Sequence, residues 1–87
     1  TTEEVIAVAE RLRAAGAMYV THMRDEADRV CASIEETLKI GRRVGVPVHI
    51  SHHKCSMPEN YGRSVQTLAL IEAAATMQEV AFDMYPY

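Results

Sequence analysis

Three short runs rich in β-branched and aromatic residues, Ala17–His22, Val46–Ser51 and Glu79–Tyr85, alternate with stretches of helical periodicity. That alternation limits the available folds more than any other feature. The first helical stretch opens on Thr1-Thr2-Glu3-Glu4, rich in N-cap and first-turn residues, and carries Val5, Val8, Ala9 and Leu12 on one face. Gly16 closes it. A second helix is predicted with Asp25 as its cap, with Ala27, Val30, Cys31, Ile34 and Leu38 on one stripe, and with Gly41 and Gly45 marking its end. A third starts near Ser64, with Val65, Leu68, Ala69 and Ala75 on its apolar face. Strands are expected near residues 17–22, 47–52 and 79–85, Pro47 being tolerable only at a strand's start. The order α-β-α-β-α-β implies parallel strands joined by right-handed crossovers. Periodicity does not separate a doubly wound sheet from a (β/α)8 barrel, and both stay open at this level.

With 87 residues the chain has room for one small domain, which buries only roughly 60–65% of the surface its unfolded form exposes. Three parallel strands alone would leave two bare edges and one uncovered face, so extensive exposed apolar surface is expected. The start at Thr1 and the apolar end Tyr85-Pro86-Tyr87 also read as those of a piece from something longer. A net charge of −3 argues against nucleic acid or an anionic membrane as partner. No apolar run approaches the about 18 residues that a membrane span needs. Two cysteines without a secretory signal point to free thiols in a reducing, cytoplasmic compartment.

Residues able to do chemistry gather where the strands end. His22 closes the first, followed by Arg24, Asp25 and Glu26; His52, His53 and Lys54 follow the second; Asp83 and Tyr85 end the third. In α/β folds the C-terminal ends of parallel strands carry the active site. On adjacent strands His22 and His52 would stand about 4.8 Å apart, and two imidazoles so placed can share one Zn²⁺ at about 2.0–2.1 Å each. They can equally be hydrogen-bonded histidines with no metal. Strand parity turns His49 away from His52, which makes it structural, and gives His53 a supporting or loop position. Lys54 shares parity with His52 and can hold an anionic group, and Tyr85 can donate a phenolic hydrogen bond. Cys31 fits the core, and no fixed spacing supports Cys55 as a further ligand. Gly41-Arg42-Arg43-Val44-Gly45 lacks the strand-then-helix context of a nucleotide loop.

Tyr19-Val20-Thr21-His22-Met23-Arg24-Asp25-Glu26, Ser51-His52-His53-Lys54 and Asp83-Met84-Tyr85-Pro86-Tyr87 resemble three successive motifs of the N-acyl-D-amino-acid deacylases. These belong to the metal-dependent amidohydrolase superfamily. The resemblance covers essentially the whole chain and implies residues 1–87 of a partial (β/α)8 barrel domain, with strands five to seven of the parent barrel. It implies zinc at the barrel's C-terminal end, His22 and His52 as metal-binding residues, and Lys54 and Tyr85 holding the carboxylate of the amino-acid part. The expected partners are a small N-acyl-D-amino acid and the remainder of the parent barrel. The family's early His-x-His element, its cysteine ligand and its catalytic Asp of the eighth strand have no counterpart here, so the general base is expected outside these residues. The stretch His52–Ser64 looks closest to the N-acyl-D-glutamate deacylase branch, and Arg63 is the cation expected to meet an acidic substrate side chain. The alternative is a small non-catalytic α/β binding or assembly module without metal.

Overall fold

The structure, a computed structural model, describes residues 1–86; Tyr87, the last residue of the third motif, lies outside them. Among the described residues three α-helices and three strands follow in the expected order: α1 (Thr2–Ala15), β1 (Tyr19–Thr21), α2 (Val30–Val44), β2 (Val48–Ile50), α3 (Ser64–Ala75) and β3 (Val80–Phe82), with a 3-10 turn at Pro58–Asn60 between β2 and α3. The strands pair in parallel in the order β1-β2-β3, and Val20, His49 and Ala81 stand side by side in register. Each strand is shorter than its sequence pattern, and His22, His52 and Asp83 lie beyond the paired residues.

Local chemistry explains the helix limits. Thr1 caps α1 in a reciprocal box with Glu4, and Gly16 ends it with φ 63°. The second helix starts later than expected, at Val30, with Arg29 at its N-cap and no side-chain cap. Asp25 is not its cap. Its Oδ1 instead accepts from the backbone N–H groups of Ala27 (2.8 Å) and Arg29 (3.0 Å), which folds residues 25–29 into a turn. Gly45 does end α2, at φ 77°, whereas Gly41 lies inside the helix.

α2 is the central helix, packed against α1, α3 and β2. One core cluster joins Val30, Ile34 and Leu38 of α2 to Val48 and Ile50 of β2, Ile71 of α3 and Met23. A second joins Ile6 and Ala9 of α1 to Ile40, Val44 and Val46. The inward faces of the outer helices differ from those expected. In α1 the buried residues are Ile6 and Ala9, while Val8 is 77% exposed; in α3 they are Thr67 and Ile71, while Val65 is 77% exposed. Both helices carry apolar residues around much of their circumference, so sequence period alone underdetermines which stripe docks. Val20, Met18 and Met77 are exposed as well, which agrees with the expected bare apolar surface. Among the described residues no helix is long and apolar enough to cross a membrane.

Candidate active site

The segments after β1, β2 and β3 bring four candidate side chains to one rim. The first loop is anchored by Met23, which is buried, and by Arg24, whose guanidinium donates two hydrogen bonds (2.9 and 2.8 Å) to Glu36 of α2. Those bonds hold the Glu36 carboxyl below its ordinary range. Ser33 Oγ accepts from the Asp25 backbone N–H at 2.9 Å. The two loops are tied by the Ser56 N–H, which donates to the Glu26 carbonyl at 2.7 Å.

On this frame the His22 and His52 rings meet edge to face, their centroids 4.5 Å apart. His22 Nδ1 and His52 Nε2 are separated by 2.8 Å. Tyr85 stacks on His52 at 5.4 Å, and the Lys54 ammonium sits 5.1 Å from the centre of the Tyr85 ring. Lys54 Nζ is also 2.8 Å from His52 Nδ1. Four of the five residues singled out in sequence, His22, His52, Lys54 and Tyr85, are therefore together. Beside Lys54 and Tyr85 lies a recess of about 520 Å³, lined in part by Tyr61, Leu68 and Met84.

Arg63 is not with them. Its Nη1 donates to the Asp28 carbonyl (3.0 Å) and to Asn60 Oδ1 (2.7 Å), and its Nη2 approaches Cys31 Sγ at 3.5 Å. The guanidinium pins the 25–29 turn to the start of α3 instead of facing the rim.

Two residues at the rim had no role assigned from sequence. Glu26 lies between the histidines and Lys54: His22, Glu26 and His52 each offer a donor atom, all within 4.8 Å of one another. Its side chain is only 10% exposed. Asp83 organises the second loop. Its Oδ1 accepts from the His52 backbone N–H at 2.7 Å and its Oδ2 from His49 Nε2 at 2.6 Å. These bonds, that of His49 first, hold the Asp83 carboxyl below its ordinary range. His52 has φ 42°, a left-handed conformation that costs a non-glycine residue about 1–3 kcal/mol. The Asp83 bonds and the His53 N–H, which donates to the Asp83 carbonyl at 2.8 Å, hold the turn in place. His49, which strand parity turns away from the His52 side chain, is linked to the His52 backbone through Asp83.

His53 points into the interior. The Thr67 hydroxyl donates to the Ser64 carbonyl (3.2 Å), so it accepts from His53 Nε2–H at 2.9 Å. His53 Nδ1 is then a buried lone pair without a hydrogen-bond partner among the described residues. Burial pushes the His53 pKa below its ordinary 6.5. A depressed histidine pKa means that the unfolded chain binds a proton the folded one refuses. Stability should be unaffected by this group above about pH 6.5 and fall as the pH drops below that, until the lowered folded value is passed. Urea unfolding of the full-length protein and of His53→Gln should give curves whose midpoints converge between pH 7 and pH 5.5. Midpoints that stay parallel would clear His53 of the effect.

No protein-family model matches the chain. A D-aminoacylase from Alcaligenes xylosoxydans xylosoxydans is 55% identical over all 87 residues. A crystal structure of D-aminoacylase, described as defining a novel subset of amidohydrolases, superposes on the whole chain with a TM-score of 0.97 at 53% identity. Along its whole length the chain is similar to D-aminoacylases. It spans 18% of the length of each of these two relatives. An N-acyl-D-glutamate deacylase from the same Alcaligenes is 46% identical over 85 residues, 17% of its length. The N-acyl-D-glutamate deacylase of Bordetella bronchiseptica, solved with zinc and a phosphonate mimic of the tetrahedral intermediate, has a TM-score of 0.92 at 44% identity and is covered over 19% of its chain. These identities do not single out the glutamate branch. The superposition does decide the architecture left open by periodicity: the three strands and their helices match a fragment of the D-aminoacylase barrel. The row Val20, His49 and Ala81, on the sheet face away from the helices, corresponds to the inward face of such a barrel.

Proposed function

We propose that the chain forms part of the active site of a zinc-dependent hydrolase that cleaves N-acyl-D-amino acids to a carboxylate and a D-amino acid. The observation that carries the proposal is the meeting of His22 Nδ1 and His52 Nε2 at 2.8 Å beside Lys54 and Tyr85. Two imidazole nitrogens with a carboxylate at hand suit zinc. A bound zinc supplies Lewis-acid polarisation of the amide carbonyl and a water activated at neutral pH. His22 and His52 would hold it. Lys54 would bind the substrate's α-carboxylate by charge, and the Tyr85 hydroxyl would donate to the same group, which orients the scissile amide toward the metal side of the rim. The general base and the remaining ligands would come from other strands. In this proposal residues 1–87 are strands five to seven of the parent barrel, and the two free cysteines suit a cytoplasmic setting.

A narrower preference for N-acyl-D-glutamate needs a second cation for the substrate side chain. Arg63 already donates to loop carbonyls, so this stretch offers no such cation, and we set the substrate class at N-acyl-D-amino acids in general. The test uses the full-length protein, zinc-loaded or stripped by chelator, on N-acetyl-D-methionine, N-acetyl-L-methionine and N-acetyl-D-glutamate. Zinc-dependent turnover of the D-compounds alone is expected, with kcat/KM no higher for glutamate than for methionine. Absence of any turnover after zinc is restored would leave the non-catalytic binding module as the better account. A clear glutamate preference that falls in Arg63→Ala would restore the acidic reading.

A further inference from the structure

The four ring nitrogens of His22 and His52 fall into two pairs. His22 Nδ1 and His52 Nε2 face each other. His22 Nε2 and His52 Nδ1 face one carboxylate instead: Glu26 Oε1 is 3.2 Å from the former and Oε2 is 3.4 Å from the latter. Oε2 is also bonded to the Lys54 ammonium. Glu26 is nine-tenths buried, and its backbone is fixed by the Asp25 turn and by the bond from Ser56. Its carboxylate is therefore positioned by the fold, and it reaches three of the groups at the rim.

An ionised carboxylate only accepts hydrogen bonds, and a neutral imidazole has one protonated nitrogen and one lone pair. A metal-ligating histidine commonly donates its other N–H to a carboxylate, which sets the tautomer and the ring orientation. We propose that Glu26 is a positioning residue of this site: it fixes His22 as the Nε2–H tautomer with Nδ1 free to ligate, and holds the Lys54 ammonium beside His52. The inference rests on the proposed His22–His52 metal pair. It makes Glu26 the joint between the metal half of the site and the substrate half, so that metal geometry and carboxylate binding are set by one side chain.

The experiment uses the full-length protein with zinc alone as probe. Glu26→Ala should weaken zinc binding, read by chelator competition, by about 10–100-fold. Glu26→Gln, whose amide oxygen still accepts from Nε2–H, should recover part of that loss. In zinc-free protein labelled with ¹⁵N-histidine, His22 should be protonated at Nε2, and this preference should weaken in Glu26→Ala. Unchanged zinc affinity and an unchanged His22 tautomer in Glu26→Ala would overturn the proposal. So would an X-ray absorption spectrum of the wild type in which Glu26 oxygen is bound to zinc, removed in both variants, which makes it a ligand. Should Glu26→Ala fail to fold, Glu26→Leu, which keeps the bulk but accepts no hydrogen bond, decides: an unchanged ¹⁵N signature and affinity there overturn the role. A wild type that binds no zinc would refute the metal pair, while the tautomer measurement would still test the Glu26–His22 contact.

Discussion

Alanine at His22 or at His52 in the full-length protein is expected to strip the zinc and, with it, nearly all turnover. Loss of a partner behind a metal ligand already costs about 10–100-fold in affinity or activity, so loss of a ligand should exceed 100-fold in either. The two rings are 4.5 Å apart and edge to face, so each variant also removes the contact that orients the other ring. Metal analysis of the two purified variants, beside wild type and with kcat measured on N-acetyl-D-methionine, is the direct check. Lys54→Ala makes the useful contrast: it should retain zinc and act chiefly on KM, because an ammonium that binds the α-carboxylate contributes to substrate and transition state alike. Unchanged zinc content in both histidine variants would remove the proposed centre, whatever the activity did.

The second large effect concerns the fold. Gly41 lies within α2, where glycine is disfavoured by about 1 kcal/mol relative to alanine, and helix propensity alone would predict that a side chain there stabilises. Space decides otherwise. A Cβ at Gly41 would stand 2.2 Å from Val48 Cγ2, with Gln78 Nε2 at 3.1 Å on the other side. Val48 is only 2% exposed and belongs to the central strand, so it has nowhere to retreat. Gly41→Val should therefore cost about 3 kcal/mol, the upper part of the usual overpacking range, and Gly41→Ala about 1–3 kcal/mol despite its better propensity. Gly16→Ala is the control. Gly16 has φ +63° but nothing within 4 Å of its would-be Cβ, so the change should cost only about 1–2 kcal/mol of left-handed backbone strain. Chemical denaturation of the full-length protein measures all three. A Gly41→Ala variant more stable than wild type would show that the helix can shift away from β2.

The Arg24–Glu36 contact illustrates how the fold holds the rim in register. It is a two-bond carboxylate–guanidinium contact from the loop that carries His22 to the central helix, with Thr2 Oγ1 adding a bond to the same carboxylate at 2.6 Å. The first loop is thereby tied to both α1 and α2. Because the Glu36 pKa is lowered in the fold, its contribution is complete above the ordinary value of 4.5 and is lost as pH falls through the depressed one. The site should therefore keep its geometry through the neutral range.

The sequence by itself determined the alternation of helices and strands, the parallel pairing, and the collection of His22, His52, Lys54 and Tyr85 at one end of the sheet. Those features follow from period and from strand direction, which are local properties of the chain, and the family motifs were readable for the same reason. Tertiary structure decided what period cannot express. β2 stops at Ile50 and His52 turns left-handed, so strand parity no longer holds beyond it: Lys54 meets His52 across a turn instead of along a strand, while His49, in register with Ala81, reaches Asp83 along the same face. Glu26 was visible only as a charge near His22, because its approach to two histidines and a lysine depends on a loop folded by the Asp25 turn and clamped by Ser56 and Arg63. Arg63 had the right charge for a substrate carboxylate, yet in the folded chain its guanidinium donates to Asn60 Oδ1 and to the carbonyls of Ala27 and Asp28. In α1 and α3 the apolar residues are too widely spread to name a face; the neighbour each helix packs against made that choice. Gly41 reads in sequence as a helix stop, and only the closeness of Val48 shows that it is there for the space it leaves.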